Sequence, residues 1–198
     1  MQLVLPSHEH LAAYTAALQR GWSPDNIRGA AAAQEDLAKI AGDPDGYLDW
    51  MDDPEGRGPL ITRPDGSLVP RLPGLRRWMW DASPGLSDVE RFVGSINLRW
   101  MRGHAPLPPY VLGHIGYAVV PWHAGRGHAT AALAQMMALA HERGLPFVEI
   151  TTDPDNMASQ KVITHNGGVL VEHFDKGPIY GNKPGLRYRI DLQAPGLT

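Results

Sequence analysis

Hydrophobic and polar positions change period several times along this chain, and the changes mark its elements. Val111–Val120 (VLGHIGYAVV) is aliphatic and β-branched without helical spacing, so it predicts a buried strand that Pro121 ends. Ala129–Arg143 is built from strong helix formers, with Gly144 just past its end and Pro146 beyond. That helix is apolar nearly all round, which predicts cover on more than one face. Phe147–Thr152 (FVEITT) predicts a second strand. Strand, helix and strand in succession form a βαβ unit and imply a parallel pair.

The flanking pattern is also legible. Asn156–His165 predicts a short helix closed by Asn166-Gly167-Gly168. Val169–Phe174 and Leu186–Leu192 alternate as strands, as antiparallel additions. Upstream, Arg76–Trp80 and Phe92–Arg99 predict strands separated by the turn region Ala82–Asp88. The first third is mostly helical. Leu11, Tyr14 and Leu18 fall at helical spacing within Pro6–Gly21, and Ser23-Pro24 predicts the start of a second helix running to about Ala41. Neither an internal repeat nor a low-complexity segment interrupts the pattern.

Composition removes several function classes. The 198 residues contain no cysteine, which excludes a disulfide scaffold, a thiolate zinc site and a thiol acyl-enzyme. Net charge is 18 − 21 = −3, against a generally basic nucleic-acid surface. Leu3–Leu5 is stopped by Pro6, so a secretory leader is not expected, and the chain is expected to be cytoplasmic. Arg126 is the one Lys, Arg, Asp or Glu between Arg102 and Glu142. Prolines and glycines break that stretch too often for a membrane span, so it reads as the buried centre of a domain. Neither His141-Glu142, which lacks the later histidine of a zinc helix, nor His8 and His10 predicts a metal site.

Gly125-Arg126-Gly127-His128-Ala129-Thr130 sits between the predicted strand and the predicted helix. Amides at a helix start lack internal partners and the dipole there favours negative charge. With glycines allowing close approach and Arg126 adding a full charge, this is an anion site suited to a phosphate or diphosphate. A tight turn without a ligand needs the same glycines. No P-loop pattern is present. A dinucleotide fingerprint is nearer, because Glu149 follows Gly127 by about twenty residues, but Thr130 replaces its third glycine.

GHIGYAVVPWHAGRGHATAAL, followed by DPDNMASQKVITHNGGVL, resembles the GNAT superfamily of N-acetyltransferases over about residues 90–175. The family loop Gln/Arg-x-x-Gly-x-Gly/Ala falls on Ala124–Ala129. Gly127 and Ala129 fit it, and Ala124 departs from it. Asn156 and Ser159 fit the family's later Asn-x-x-Ala/Ser. The resemblance implies one α/β (mixed α+β) domain over 1–198. Its central, mostly antiparallel sheet would carry one splayed parallel strand pair and be flanked by helices. Residues 76–192 would form the sheet and acetyl-CoA core, and 1–75 a helical elaboration on the acceptor side. It implies acetyl-CoA as donor. Pantetheine would bind backbone near Tyr117, Ala118 and Val119, and the diphosphate amides of Gly125, Arg126, Gly127, His128, Ala129 and Thr130. Asn156, otherwise a helix cap, would contact pantetheine or the thiol end. His123 and His128 border the loop.

Acetyl transfer to an amine requires removal of a proton from a group with a pKa of roughly 10. Without a thiol or a Gly-x-Ser-x-Gly elbow, direct attack in a ternary complex is expected, with strand amides near Val119 polarising the carbonyl. His114 is the expected base, against its alternative as a hydrogen-bonded core histidine, with Glu149 second. Many family members place a tyrosine acid where this chain has Ile163. Tyr117 and Tyr180 are the substitutes.

The acceptor side is expected in the N-terminal third and in loops Leu72–Gly74 and Gly103–Pro109. Asp43, Asp45, Asp49, Asp52, Asp53 and Glu55 would attract a cation there, or simply form a solvated loop. Trp50, Trp78 and Trp80 would line a pocket or belong to the core. A small-molecule or protein amine is the expected acceptor, for a monomer or homodimer without nucleic-acid or membrane partners. An acyl-CoA sensor without turnover and an NAD-binding oxidoreductase are the rival readings.

Overall fold

A computed structural model describes residues 1–62, 66–103 and 106–193. The strands are β1 (Gln2–Val4), β2 (Asp52–Asp53), β3 (Ile61–Thr62), β4 (Leu68–Val69), β5 (Gly74–Trp80), β6 (Phe92–Arg99), β7 (Ile115–Val119), β8 (Phe147–Thr152), β9 (Val169–Asp175) and β10 (Pro184–Asp191). The α-helices are α1 (His8–Gln19), α2 (Ala30–Gly42), α3 (Pro44–Asp49), α4 (Asp88–Arg91), α5 (His128–Glu142) and α6 (Met157–His165). One sheet has the order β1-β5-β6-β7, with β2 also on β5. A second has the order β8-β10-β9, and β3 pairs β4. The result is a mixed α/β fold with antiparallel sheets and flanking helices.

Two compact units emerge from the contacts. The first comprises residues 1–54, 75–97 and 117–132; the second comprises 55–74, 98–116 and 133–198.

The first unit is organised by aromatic burial. Tyr14 of α1 stacks on Trp78 of β5 at 4.7 Å, and Trp22 and Phe92 meet Tyr14 edge-on. Leu11, Leu18 and Ala118 join this core. Pairing of Gln2 with Trp80 and Val4 with Trp78 adds β1 to the sheet edge. The Tyr14 hydroxyl donates to Asp36 Oδ2 at 2.9 Å and accepts from Tyr47 at 3.0 Å. Burial raises both phenols far above the ordinary tyrosine value.

In the second unit, strand alternation sorts the faces. Ile190 lies opposite Val148 and Tyr188 opposite Ile150, all buried, while Arg189 lies opposite Glu149 and pairs with it at 2.7 Å. The C-terminal end of α5 is closed by Gly144 at φ +75°, with Leu145 N–H reaching back to the Ala140 carbonyl.

Four expectations need correction. The strand expected from Val111 begins at Ile115. The Val111 N–H instead closes a turn onto the Pro108 carbonyl, and Gly113 passes so near β8 that a Cβ there would lie 2.9 Å from the Glu149 carbonyl. Next, α5 is buried along one stripe, at Ala132, Leu133, Met136, Met137 and Ala140; its exposed face includes Ala131, Ala134 and Ala138, apolar in composition but too small to demand cover. Ser23-Pro24 opens a turn rather than a helix. Asp25 Oδ1 takes the amides of Ile27 and Arg28, Gly29 follows at φ +50°, and α2 starts only at Ala30. Finally, the parallel pair expected of β7 and β8 forms no ladder among the described strands, which leaves the splayed pair implied by the resemblance uncontradicted. The Glu149 amide that would continue one is bonded to the His114 ring.

Candidate functional site

Val120 N–H donates to the Val93 carbonyl and Arg99 N–H to the His114 carbonyl, each at 2.9 Å, so β6 and β7 run antiparallel. Even-numbered residues of β7 therefore face β6. Tyr117 and Val119 turn their backbone groups toward the other edge, and among the described residues β7 is the last strand of its sheet. Ala118 is held from the β6 side by Gly94, whose φ is +154°; a Cβ there would lie 2.3 Å from the Ala118 carbonyl. The outward Tyr117 carbonyl accepts from Asn26 Nδ2 at 3.0 Å. Pattern reading missed Asn26, because a lone loop residue ninety-one positions away gives no periodic signal.

Past β7, Pro121–His123 form a short 3₁₀ turn and the chain enters the glycine loop. Gly125 and Gly127 have φ of +75° and +78°, and a Cβ on either would meet no atom within 4 Å. Residues 124–127 are exposed. At the start of α5, Ala131 N–H donates to the Gly127 carbonyl at 3.1 Å. Gly125, Arg126 and Gly127 thus form an exposed corner at a helix start, with His128, Ala129 and Thr130 half-buried in the first turn of α5. Arg126 Nη1 lies 3.3 Å from His123 Nδ1, and the rings of His123 and His128 stand edge-to-face at 5.9 Å. Burial holds the His128 imidazole below its ordinary pKa, with His123 and Arg126 acting in the same direction and Asp81 opposing them.

The second unit holds His114, Glu149, Asn156 and Ser159. His114 is 0% exposed, and its Nδ1 accepts the Glu149 N–H at 2.9 Å. Because an amide only donates, that nitrogen carries no proton. Arg187 and Arg189 pair with the Glu149 carboxylate. Asn156 caps α6, its Oδ1 accepting Ser159 N–H at 3.0 Å. Ile163 is wholly buried, and Gly168 folds against it so closely that a Cβ would lie 2.3 Å from the Ile163 Cγ2. A shallow groove of about 360 Å3 lies elsewhere in this unit, between Pro154, Phe174 and Gly185.

The acidic run is largely engaged. Asp43 caps α3 through the Gly46 amide, Asp45 meets His8 at 2.6 Å and Asp52 meets Arg77 at 2.5 Å. Asp53 is buried, and Glu55 pairs with Arg102. Trp78 and Trp80 are core, whereas Trp50 is 44% exposed. Positions 104 and 105 of the expected acceptor loop Gly103–Pro109 lie outside the described residues.

Residues 26–169 match the acetyltransferase (GNAT) domain model. The chain belongs to the GNAT family of acetyltransferases. It is an acyltransferase, and the acetyl donor of GNAT enzymes is acetyl-CoA. Membership also removes the oxidoreductase reading, whose ribose-binding acid, Glu149, is tied to two arginines inside β8.

The fold is shared with solved acetyltransferases. A putative ribosomal-protein-serine acetyltransferase from Vibrio cholerae aligns with a TM-score of 0.58 at 14% identity, covering 96% of this chain and 92% of that one. The microcin C7 self-immunity acetyltransferase MccE, in complex with acetyl-CoA and AMP, aligns at 0.53 and 13%, covering 96% and 91%. A spermidine N-acetyltransferase chimera from Vibrio cholerae and hSSAT aligns at 0.55 and 12%, covering 97% of each chain. A search of curated protein sequences gives no match. Among the described residues, no helix is long and apolar enough to cross a membrane, and no cluster of three or more His, Cys, Asp or Glu is placed to hold a metal.

Proposed function

We propose that this GNAT protein is an N-acetyltransferase that moves the acetyl group of acetyl-CoA to a primary amine by direct attack in a ternary complex, working as one domain. The supporting observation is the open glycine corner at the start of α5, which follows directly from an edge strand with outward backbone groups at Tyr117 and Val119. In this reading the amides from Gly125 to Thr130 and the Arg126 side chain bind diphosphate. The edges of Tyr117, Ala118 and Val119 bind the pantetheine arm, and Val119 N–H polarises the thioester carbonyl. Asn156 Oδ1 holds the Ser159 amide at the start of α6, and the family resemblance is what assigns Asn156 to pantetheine or the thiol end. Acetyl-CoA supplies an activated acyl carbon with a thiolate leaving group.

A chain without cysteine has no thiol to carry the acyl group, which supports direct attack. His114 is given a structural part rather than that of base, because its Nδ1 already accepts an amide and its ring has no exposed surface. The amine proton leaves through water. An amine of pKa roughly 10 keeps a small neutral fraction at neutral pH, so its rate should follow that fraction upward with pH. A polyamine, another small amine and a protein amine are the acceptor classes; spermidine is the acceptor for which the chimera of the same fold is named.

Thiol release from acetyl-CoA across a panel of amines tests the reading. Amine-dependent release whose kcat/KM climbs with the neutral fraction is expected. Binding of acetyl-CoA with no release for any amine favours the second reading, a non-catalytic acyl-CoA sensor. That reading draws on the buried Ile163 standing where many relatives have a tyrosine acid.

A further inference from the structure

We propose that His123 is a positioning residue for acetyl-CoA: its ring holds the Arg126 guanidinium beside the glycine loop, so that the loop's one formal charge is already aimed when the diphosphate arrives. This rests on the reading of the loop as the acetyl-CoA site. His123 is only 8% exposed, and it ends the 3₁₀ turn, where its own N–H donates to the Val120 carbonyl at 3.0 Å. The His123 backbone is thus anchored to the end of β7, and its side chain is buried there. Arg126 stands on exposed backbone between two glycines with positive φ. Such a side chain, without a tether, would lose much rotamer freedom on gripping a phosphate.

The tether is the 3.3 Å contact from Arg126 Nη1 to His123 Nδ1. A guanidinium has donors only, so Nδ1 accepts and the ring hydrogen sits on Nε2. His128, the first residue of α5, sets its ring edge-to-face on His123 at 5.9 Å. Its lowered pKa keeps it from adding a competing charge beside the guanidinium. The arrangement therefore presents one held cation backed by two imidazoles. Ala124 stands where the loop pattern of the family has Gln or Arg, and its methyl group carries no charge, which leaves Arg126 to supply it.

The test is equilibrium binding of CoA and of pantetheine, which carries no phosphate, to the full chain and to His123→Leu, His123→Asn, Arg126→Ala and the Leu/Ala double variant. His123→Leu and Arg126→Ala should each weaken CoA about tenfold, and the double variant no more than either, since both remove one aimed charge. His123→Asn should lie within about threefold of wild type, because Oδ1 can accept where Nδ1 did. Pantetheine affinity should not change. The inference is overturned by unchanged CoA binding in His123→Leu, by losses that add in the double variant, or by an equal loss for pantetheine. Should His123→Leu not fold, Arg126→Ala with undiminished CoA affinity overturns it alone. Wild-type protein that binds neither ligand defeats the reading of the loop and this inference with it, whereas wild-type binding with indifferent His123 variants defeats only the inference.

Discussion

His114 and Glu149 grip each other twice: the His114 N–H donates to the Glu149 carbonyl at 2.7 Å, and the Glu149 N–H donates to His114 Nδ1 at 2.9 Å. The imidazole replaces a backbone carbonyl as the acceptor for β8. His114→Ala should therefore cost about 2–4 kcal/mol, from an orphaned amide together with a cavity. His114→Asn should recover part of that through its Oδ1. Chemical denaturation checks the stability, and turnover per folded molecule checks the chemistry. An alanine variant with wild-type stability and abolished turnover would return the ring to the role of base.

Gly127 sits at φ +78° with open space where a side chain would go. Gly127→Ala should lower stability by only about 1–2 kcal/mol, the penalty of the left-handed conformation. Its methyl would project into the corner assigned to the diphosphate. The KM for acetyl-CoA should rise by about tenfold or more, with a smaller change in the KM for the amine. Initial rates over both substrates separate the two effects.

Gly94 presents the opposite situation. A Cβ there would lie 2.3 Å from the Ala118 carbonyl and 2.9 Å from the Val119 Cα, both backbone atoms that cannot swing aside. Gly94→Ala should cost about 3 kcal/mol or more, and it should disturb the outward groups of Val119 as well. A thermal melt measures the first effect, and loss of acetyl-CoA affinity in the folded remainder measures the second.

Tyr14 and Tyr47 are buried phenols linked to Asp36, and burial raises both pKa values. The folded protein keeps two protons that the unfolded chain releases near pH 10. The resulting stability is whole below about pH 10 and is lost as pH rises above it. Alkaline unfolding should follow, with Tyr14 and Tyr47 ionising only as the protein opens. Absorbance at about 295 nm followed against circular dichroism tests this, and Tyr47→Phe should remove one late-ionising group. Smooth ionisation of both phenols in folded protein would contradict it.

Local pattern is enough for elements whose residues agree with their neighbours. The helix formers of α5 ending at Gly144, the β-branched run of β8 and the Asn156 cap of α6 are each determined within a short window. The pattern misleads where a distant partner decides. Val111 and Leu112 have strand composition, yet Arg187 Nη1 takes the Leu112 carbonyl and Gly113 abuts β8. Ser23-Pro24 has helix-start chemistry, but Asp25 captures the next amides first. The glycine loop is visible because positive φ and helix starts have local signatures. Asn26 on Tyr117 and His123 on Arg126 are not, since neither contact imposes a spacing.

The buried Ile163 and the bare Gly168 behind it are two halves of one packing solution. A phenol cannot be restored there by a single exchange: its ring would have to displace backbone that closes the helix end. A larger side chain at 163 would therefore need a matching change at the turn that ends α6, so the two positions are coupled through packing rather than through any direct bond.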